Sequence, residues 1–166
     1  MTIERSTRPV AAARIRRVAR ALLDAAELCA IATVSRSGQA YVNTAYFAWT
    51  PDLRIVWISE PRASHSRNLR SNASGAVAVY DSSQTWGKPD RGIQLFGSAR
   101  EGADDAAEVY AKRFPEYEPG MYRCYELRPR RIKLFDERVL GAGVLVTARV
   151  ARDWELTWQR TDLYRQ

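Results

Sequence analysis

Cysteine and histidine are nearly missing from this chain, and their scarcity removes whole classes of chemistry at the outset. Its 166 residues hold 2 Cys and 1 His. Cys29 and Cys124 form no CxxC and the lone His65 completes no His/Cys cluster, so neither a zinc site nor a disulfide framework is expected. Two isolated thiols suit a reducing cytoplasm, each as a small core hydrophobe. No apolar run approaches the roughly 20 residues that a membrane-spanning helix needs. The basic N-terminal stretch is followed by no apolar segment, so no secretory signal is expected. GxGxxG and Walker-type loops are missing too, which takes away the main sequence signal of the common nucleotide-binding folds.

What is present is an apolar fraction of 46% with 27% charged residues. That balance supports a buried core, and the length fits one domain over residues 1–166. The net charge of +7 raises nucleic acid as a partner. The arginines gather at Arg14, Arg16, Arg17 and Arg20 and again at Arg128, Arg130 and Arg131 with Lys133. No helix-turn-helix, zinc-finger or RRM signature accompanies them, so no nucleic-acid partner is expected. An anionic cofactor accounts for part of the charge equally well.

Residues 8–27 read as an amphipathic helix, with Val10, Ile15, Val18, Leu22 and Leu23 near one stripe and arginines opposite. The period then changes. CAIATVSR and AYVNTAYFAWT flank a Ser37-Gly38 turn and predict a β-hairpin, and RIVWIS predicts a third strand after Pro51-Asp52. A polar helical stretch, ASHSRNLRSN, is expected to stay on the surface. GAVAVY, a Ser/Gly/Pro-rich loop, RGIQLFGSAREG and the helix DDAAEVYAKRF follow. MYRCYELRP and RRIKLFDE read as further strands, and the segment from about 139 to 166 as a strand followed by a strand or an extended arm. Strands joined by hairpins rather than helical crossovers argue against a Rossmann sheet and for an antiparallel barrel.

The chemistry concentrates after the third strand. Within a few residues of Ser59 come Arg62, Ser64, His65, Ser66 and Arg67, at the start of a helical turn. Hydroxyls, guanidinium forks and a helix N-terminus together suit a phosphomonoester, because free N–H groups and the helix dipole favour an anion there.

In order and spacing, the hairpin, IVWIS, the polar turn, NLRSN, AVAVYD, a loop and GIQLFGSARE resemble the FMN-binding split-barrel family of pyridoxamine 5′-phosphate oxidase. The resemblance spans about Ala21 to Glu137. It implies a mainly β chain with flanking helices, built as an antiparallel six-stranded Greek-key split barrel, dimeric, with FMN bound between subunits. In the oxidase the third strand ends in an aromatic-aromatic-Thr-Asn pattern followed by Ser-Arg-Lys, whose side chains hold the FMN phosphate. Ser59 takes the Thr position, Ala63 the Ser, Ser64 the Arg and His65 the Lys; Arg62 and Arg67 are expected to replace the two lost cations. The resemblance further implies that Asn43 and Thr44 meet the flavin ring, that Gln94 reaches its polar edge, and that Trp86 and Lys88 lie in a loop over it. Trp57 is counted with the cofactor-binding residues. Tyr46, Phe47, Trp49 and Trp57 are more aromatic surface than one barrel interior absorbs, which points to a homodimer.

The family's product site carries an Arg-x-His near the C-terminus, and no histidine follows His65 here, so oxidation of pyridoxamine phosphate itself is not expected. The implied activity is an FMN-dependent, cytoplasmic oxidoreductase acting on a small organic molecule, its catalytic residues unassigned. Alternatives are a deazaflavin-dependent reductase of the same fold, or a flavin- or haem-binding protein without turnover.

Overall fold

In the computed structural model residues 2–102, 105–118 and 120–165 are described. Nine strands and four helices are found among them. They are β1 (Thr2–Ser6), α1 (Ala12–Asp24), β2 (Leu28–Val34), β3 (Ala40–Trp49), β4 (Ile55–Ser59), α2 (Ser64–Ser71) and β5 (Ser74–Tyr80). Then come β6 (Arg91–Glu101), α3 (Asp105–Arg113), β7 (Arg123–Asp136), α4 (Glu137–Leu140), β8 (Val144–Val150) and β9 (Leu156–Arg165). In hydrogen-bonding order the strands run β1-β9-β8-β7-β4-β3-β2-β5-β6, and a further β7–β6 pairing closes β2 to β7 into a ring. The chain is mainly β around a six-stranded antiparallel barrel, as the sequence implied.

The chain divides into two compact units, residues 27–77 with 96–129 and residues 1–26 with 78–95 and 130–166. In the first, β2 and β3 pair antiparallel from Leu28↔Tyr46 to Val34↔Ala40, β3 pairs β4 at Phe47↔Trp57, and β4 pairs β7 at Trp57↔Tyr125. The period of two sends Cys29, Ile31, Phe47, Ile55 and Trp57 inward, and all are buried. Burial raises the Cys29 thiol to about 12, so it is an inert part of this core. On the other side of β3 and β4, Ala48 and Val56 pack under Ala106 and Tyr110 of α3. Glu126 of β7, also buried, accepts from Arg54 Nη1 at 3.0 Å and from Arg100 Nε at 3.0 Å. Arg54 also pairs with Asp105, tying the start of α3 to β4.

In the second unit, β8 and β9 form a hairpin with a bulge after Thr147, and β1 adds to β9 as Thr2↔Arg165 through Ser6↔Thr161. Helix α1 buries Ile15, Val18, Ala19, Leu22 and Leu23. Each fully buried aliphatic of that size contributes about 1.5–3 kcal/mol, enough to hold a helix that has no side-chain N-cap.

The structure departs from the sequence expectations at β1 and α2, and it resolves two that stood open. Of the one or two strands expected over MYRCYELRP and RRIKLFDE, one is found, β7, and Pro129 stands inside it, buried. The C-terminal segment is a β-hairpin. Strand β1, nearly all exposed, was not expected, because TIERS shows no alternation of apolar residues. Helix α2 is not wholly on the surface: Ser66, Asn68 and Leu69 are buried.

Candidate functional site

The candidate phosphate site lies where β4 passes into α2. Strand β4 ends at Ser59, whose buried hydroxyl is aimed inward like Trp57 and Ile55 before it. A turn closed by the Ala63 N–H donating to the Glu60 carbonyl at 3.0 Å then starts the helix. Ala63 occupies the N-cap and offers no side-chain cap. The N–H groups of the first turn therefore remain available to an anion, where the helix dipole adds its attraction.

Three side chains form a chain behind that helix start. The Ser66 hydroxyl donates to Ser59 Oγ at 3.1 Å, and Ser59 Oγ lies 2.6 Å from His65 Nε2. Burial holds the imidazole below its ordinary pKa, which favours the neutral ring. In that state the tautomer sets the direction of the bond: Nε2 either accepts from the Ser59 hydroxyl or donates to its oxygen while Ser59 donates to the Glu60 carbonyl at 3.3 Å. Arg67 Nη2 donates to Ser64 Oγ at 3.4 Å from the exposed side, and Arg62 is exposed in the turn. Arg70 donates to the Pro61 carbonyl at 3.0 Å and pins the turn. On the helix's inner face, Asn68 Nδ2 donates to Thr33 Oγ1 of β2 at 3.1 Å. Neither Arg70 nor Asn68 was singled out in the sequence; both hold the turn and the helix in place rather than the anion, and their partners lie too far along the chain for a local pattern to mark them.

The remaining candidates separate. Asn43 is half-buried on β3, opposite Ile31, and its Oδ1 is buried without a hydrogen-bond partner. Thr44, next along the strand, faces the other way and is exposed. Trp57 is fully buried and stacks on Tyr125, ring centroids 6.0 Å apart, so its ring is a core element and not a cofactor contact. Of the four aromatics assigned to a dimer surface, Phe47 and Trp57 are fully buried and Trp49 half-buried, leaving Tyr46 exposed: Phe47 and Trp57 fill the barrel interior itself.

Trp86, Lys88 and Gln94 belong to the other unit. Trp86 is completely exposed, and Lys88 stands in the turn closed by its own N–H donating to the Thr85 carbonyl at 3.0 Å. Gln94 is exposed on β6 and borders a cavity of about 260 Å3 with Tyr80, Gln84, Ile93 and Phe135.

With this geometry in hand, the comparison with known proteins decides the family. The sequence pattern of pyridoxamine 5′-phosphate oxidase matches residues 15–136. The chain belongs to that family. No curated protein matches it by sequence. Among solved structures it is similar to a pyridoxamine 5′-phosphate oxidase-related, FMN-binding protein from Nostoc punctiforme, with TM-score 0.59 and 13% identity over 89% of this chain and 93% of the other. A heme-binding protein from Mycobacterium smegmatis gives TM-score 0.58 and 14% identity, over 93% and 89%. A protein of unknown function from Agrobacterium tumefaciens gives 0.65 and 20%, over 87% of this chain and 60% of the other. At these identities the solved structures speak for the fold. Proteins of this fold thus include an FMN-binding and a heme-binding one, and the site residues must discriminate between the two.

Proposed function

We propose that this pyridoxamine 5′-phosphate oxidase-family protein is an FMN-dependent oxidoreductase, a cytoplasmic homodimer whose flavin phosphate rests at the β4–α2 junction. The observation that carries the proposal is the uncapped first turn of α2, backed by the buried Ser66–Ser59–His65 chain and flanked by the exposed guanidiniums of Arg62 and Arg67. These residues fit a phosphate dianion. The first-turn N–H groups and the Ser64 hydroxyl would donate to it, while the two arginines would close on its oxygens from the solvent side. Asn43 supplies a second fit, since its orphaned buried Oδ1 is the acceptor that a ring N–H of a flavin needs. Bound FMN supplies two-electron redox chemistry; the protein orients it and limits its access to solvent.

A deazaflavin with the same phosphate would use the same helix start. Haem is disfavoured: the Nε2 of the sole histidine is held by Ser59 at 2.6 Å, so it is not presented to an axial metal. An absorption spectrum of the purified protein, with cofactor extraction, tests the assignment. Flavin bands and released FMN are expected; a Soret band, or a deazaflavin in the extract, contradicts it.

A further inference from the structure

The second unit holds a cavity of about 240 Å3 that the flavin reading does not use. Asp90, Phe135, Glu137, Gly143, Val144, Leu145 and Tyr164 line it. It adjoins the Gln94 cavity of about 260 Å3, with which it shares Asp90 and Phe135. At about 240 Å3 the first cavity lies near the small end of the range for organic ligands and suits a compact one.

The walls are apolar and aromatic, and the charged lining residues are both acids. Glu137 Oε2 accepts from the Asp90 N–H at 3.1 Å and Oε1 from the Gly143 N–H at 2.8 Å, while the Glu137 N–H donates to the Asp90 carbonyl at 3.0 Å. These bonds hold the two acidic residues side by side. The Asp90 carboxylate has no hydrogen-bond or ion-pair partner among the described residues. No cation lines the cavity: Arg91 pairs with the buried Asp136 at 3.5 Å, and Lys133 and Arg138, the latter next to Glu137 and exposed, are not among its lining residues. In a chain of net charge +7, an apolar cavity whose charged lining is purely acidic is complementary to a cation.

We propose that this cavity binds an organic cation with an aromatic or branched apolar body, such as a protonated primary amine, its charge at Asp90 and Glu137 and its body against Phe135, Leu145 and Tyr164. A cation seated there also faces aromatic rings, which adds attraction. A phosphorylated ligand is excluded from this cavity by the same two carboxylates. The proposal stands whether the cofactor is FMN or another group, because it rests on the cavity alone.

The test uses apoprotein and three indoles of like shape and different charge: tryptamine, tryptophol and indole-3-acetate. Titrations followed by NMR should show tryptamine binding at least tenfold more tightly than either of the others, with shifts at Phe135, Leu145 and Tyr164. Asp90→Asn, at an exposed position whose side chain holds no other group, should weaken tryptamine at least fivefold and leave tryptophol unchanged. Leu145→Trp, which fills the cavity, should abolish binding of both while the melting temperature reports that the variant is folded. Equal affinity for tryptamine and tryptophol, tighter binding of indole-3-acetate, or an Asp90→Asn variant that binds tryptamine like wild type would overturn the proposal. None of these outcomes depends on whether flavin binds.

Discussion

At the scale of the residue, His65 connects fold to site. Its imidazole is held below the ordinary histidine pKa by burial, so between the folded and unfolded values the unfolded chain binds more protons than the folded one. Stability of the apoprotein therefore rises as pH rises through that window, and falls as the solution is acidified below about 6.5, the unperturbed value. A phosphate dianion beside the ring acts in the opposite direction, since it favours the imidazolium. Two results follow. Thermal melts of apoprotein between pH 7.5 and 6 should show a steeper loss of melting temperature in wild type than in His65→Gln. The FMN-over-riboflavin preference of wild type should grow from pH 8 to 6.5 and that of His65→Gln should grow less. Parallel pH profiles for the two proteins would remove His65 from the phosphate. The residue-level content of the site was only partly legible beforehand. A sequence places Ser59, Ser64, His65 and Arg67 near one another, but burial of Ser66 and Trp57 depends on which strand face each occupies and what packs above it.

At the scale of the element, closure of the barrel rests on a close approach between β6 and β7. A Cβ on Gly97 would overlap the Arg128 carbonyl oxygen and crowd the Pro129 backbone. Backbone cannot yield as a flexible side chain does, so Gly97→Ala must force the strands apart. The expected loss is about 3 kcal/mol or more, measured by urea unfolding, whereas Gly38→Ala, where no atom lies within 4 Å, should cost only the strain of its positive φ. Similar costs for both would mean that β6 and β7 do not meet as described. The elements themselves were largely readable, because hairpin turns and period-two patterns are local signals. The failures were non-local. Strand β1 exists because β9 offers it an edge, and β7 runs unbroken through Pro129, past the last residue paired with β4 and before the first paired with β8. Helix α2 is polar in sequence, yet one face is buried because Asn68 and Ser66 find hydrogen-bond partners there.

At the scale of the whole molecule, the proposed homodimer would seat its second copy on the outer face of the β2–β3 hairpin. Leu28, Val42 and Tyr46 are 49%, 72% and 53% exposed, Leu28 lies directly opposite Tyr46, and Ala32 directly opposite Val42. An apolar strip of this kind, broken only by Thr44, suits an isologous interface, in which the same patch meets itself. The support for a dimer is thus this strip rather than the aromatic excess counted in the sequence. Val42→Asp combined with Tyr46→Asp should convert a dimer to a monomer in sedimentation velocity at micromolar concentration without loss of the β signal in circular dichroism. A wild-type monomer under those conditions would refute the dimer.

The central claim is the phosphate site at the start of α2, and it is tested most directly by fluorescence titration of apoprotein with FMN and with riboflavin, which share a ring and differ by the phosphate. Charge-assisted hydrogen bonds contribute roughly 1.5–3 kcal/mol each, so even two of them predict a preference for FMN of about a hundredfold or more. Arg62→Ala and Arg67→Ala should each erode that preference while leaving riboflavin affinity nearly unchanged. Equal affinity of the wild-type protein for FMN and riboflavin would contradict the account.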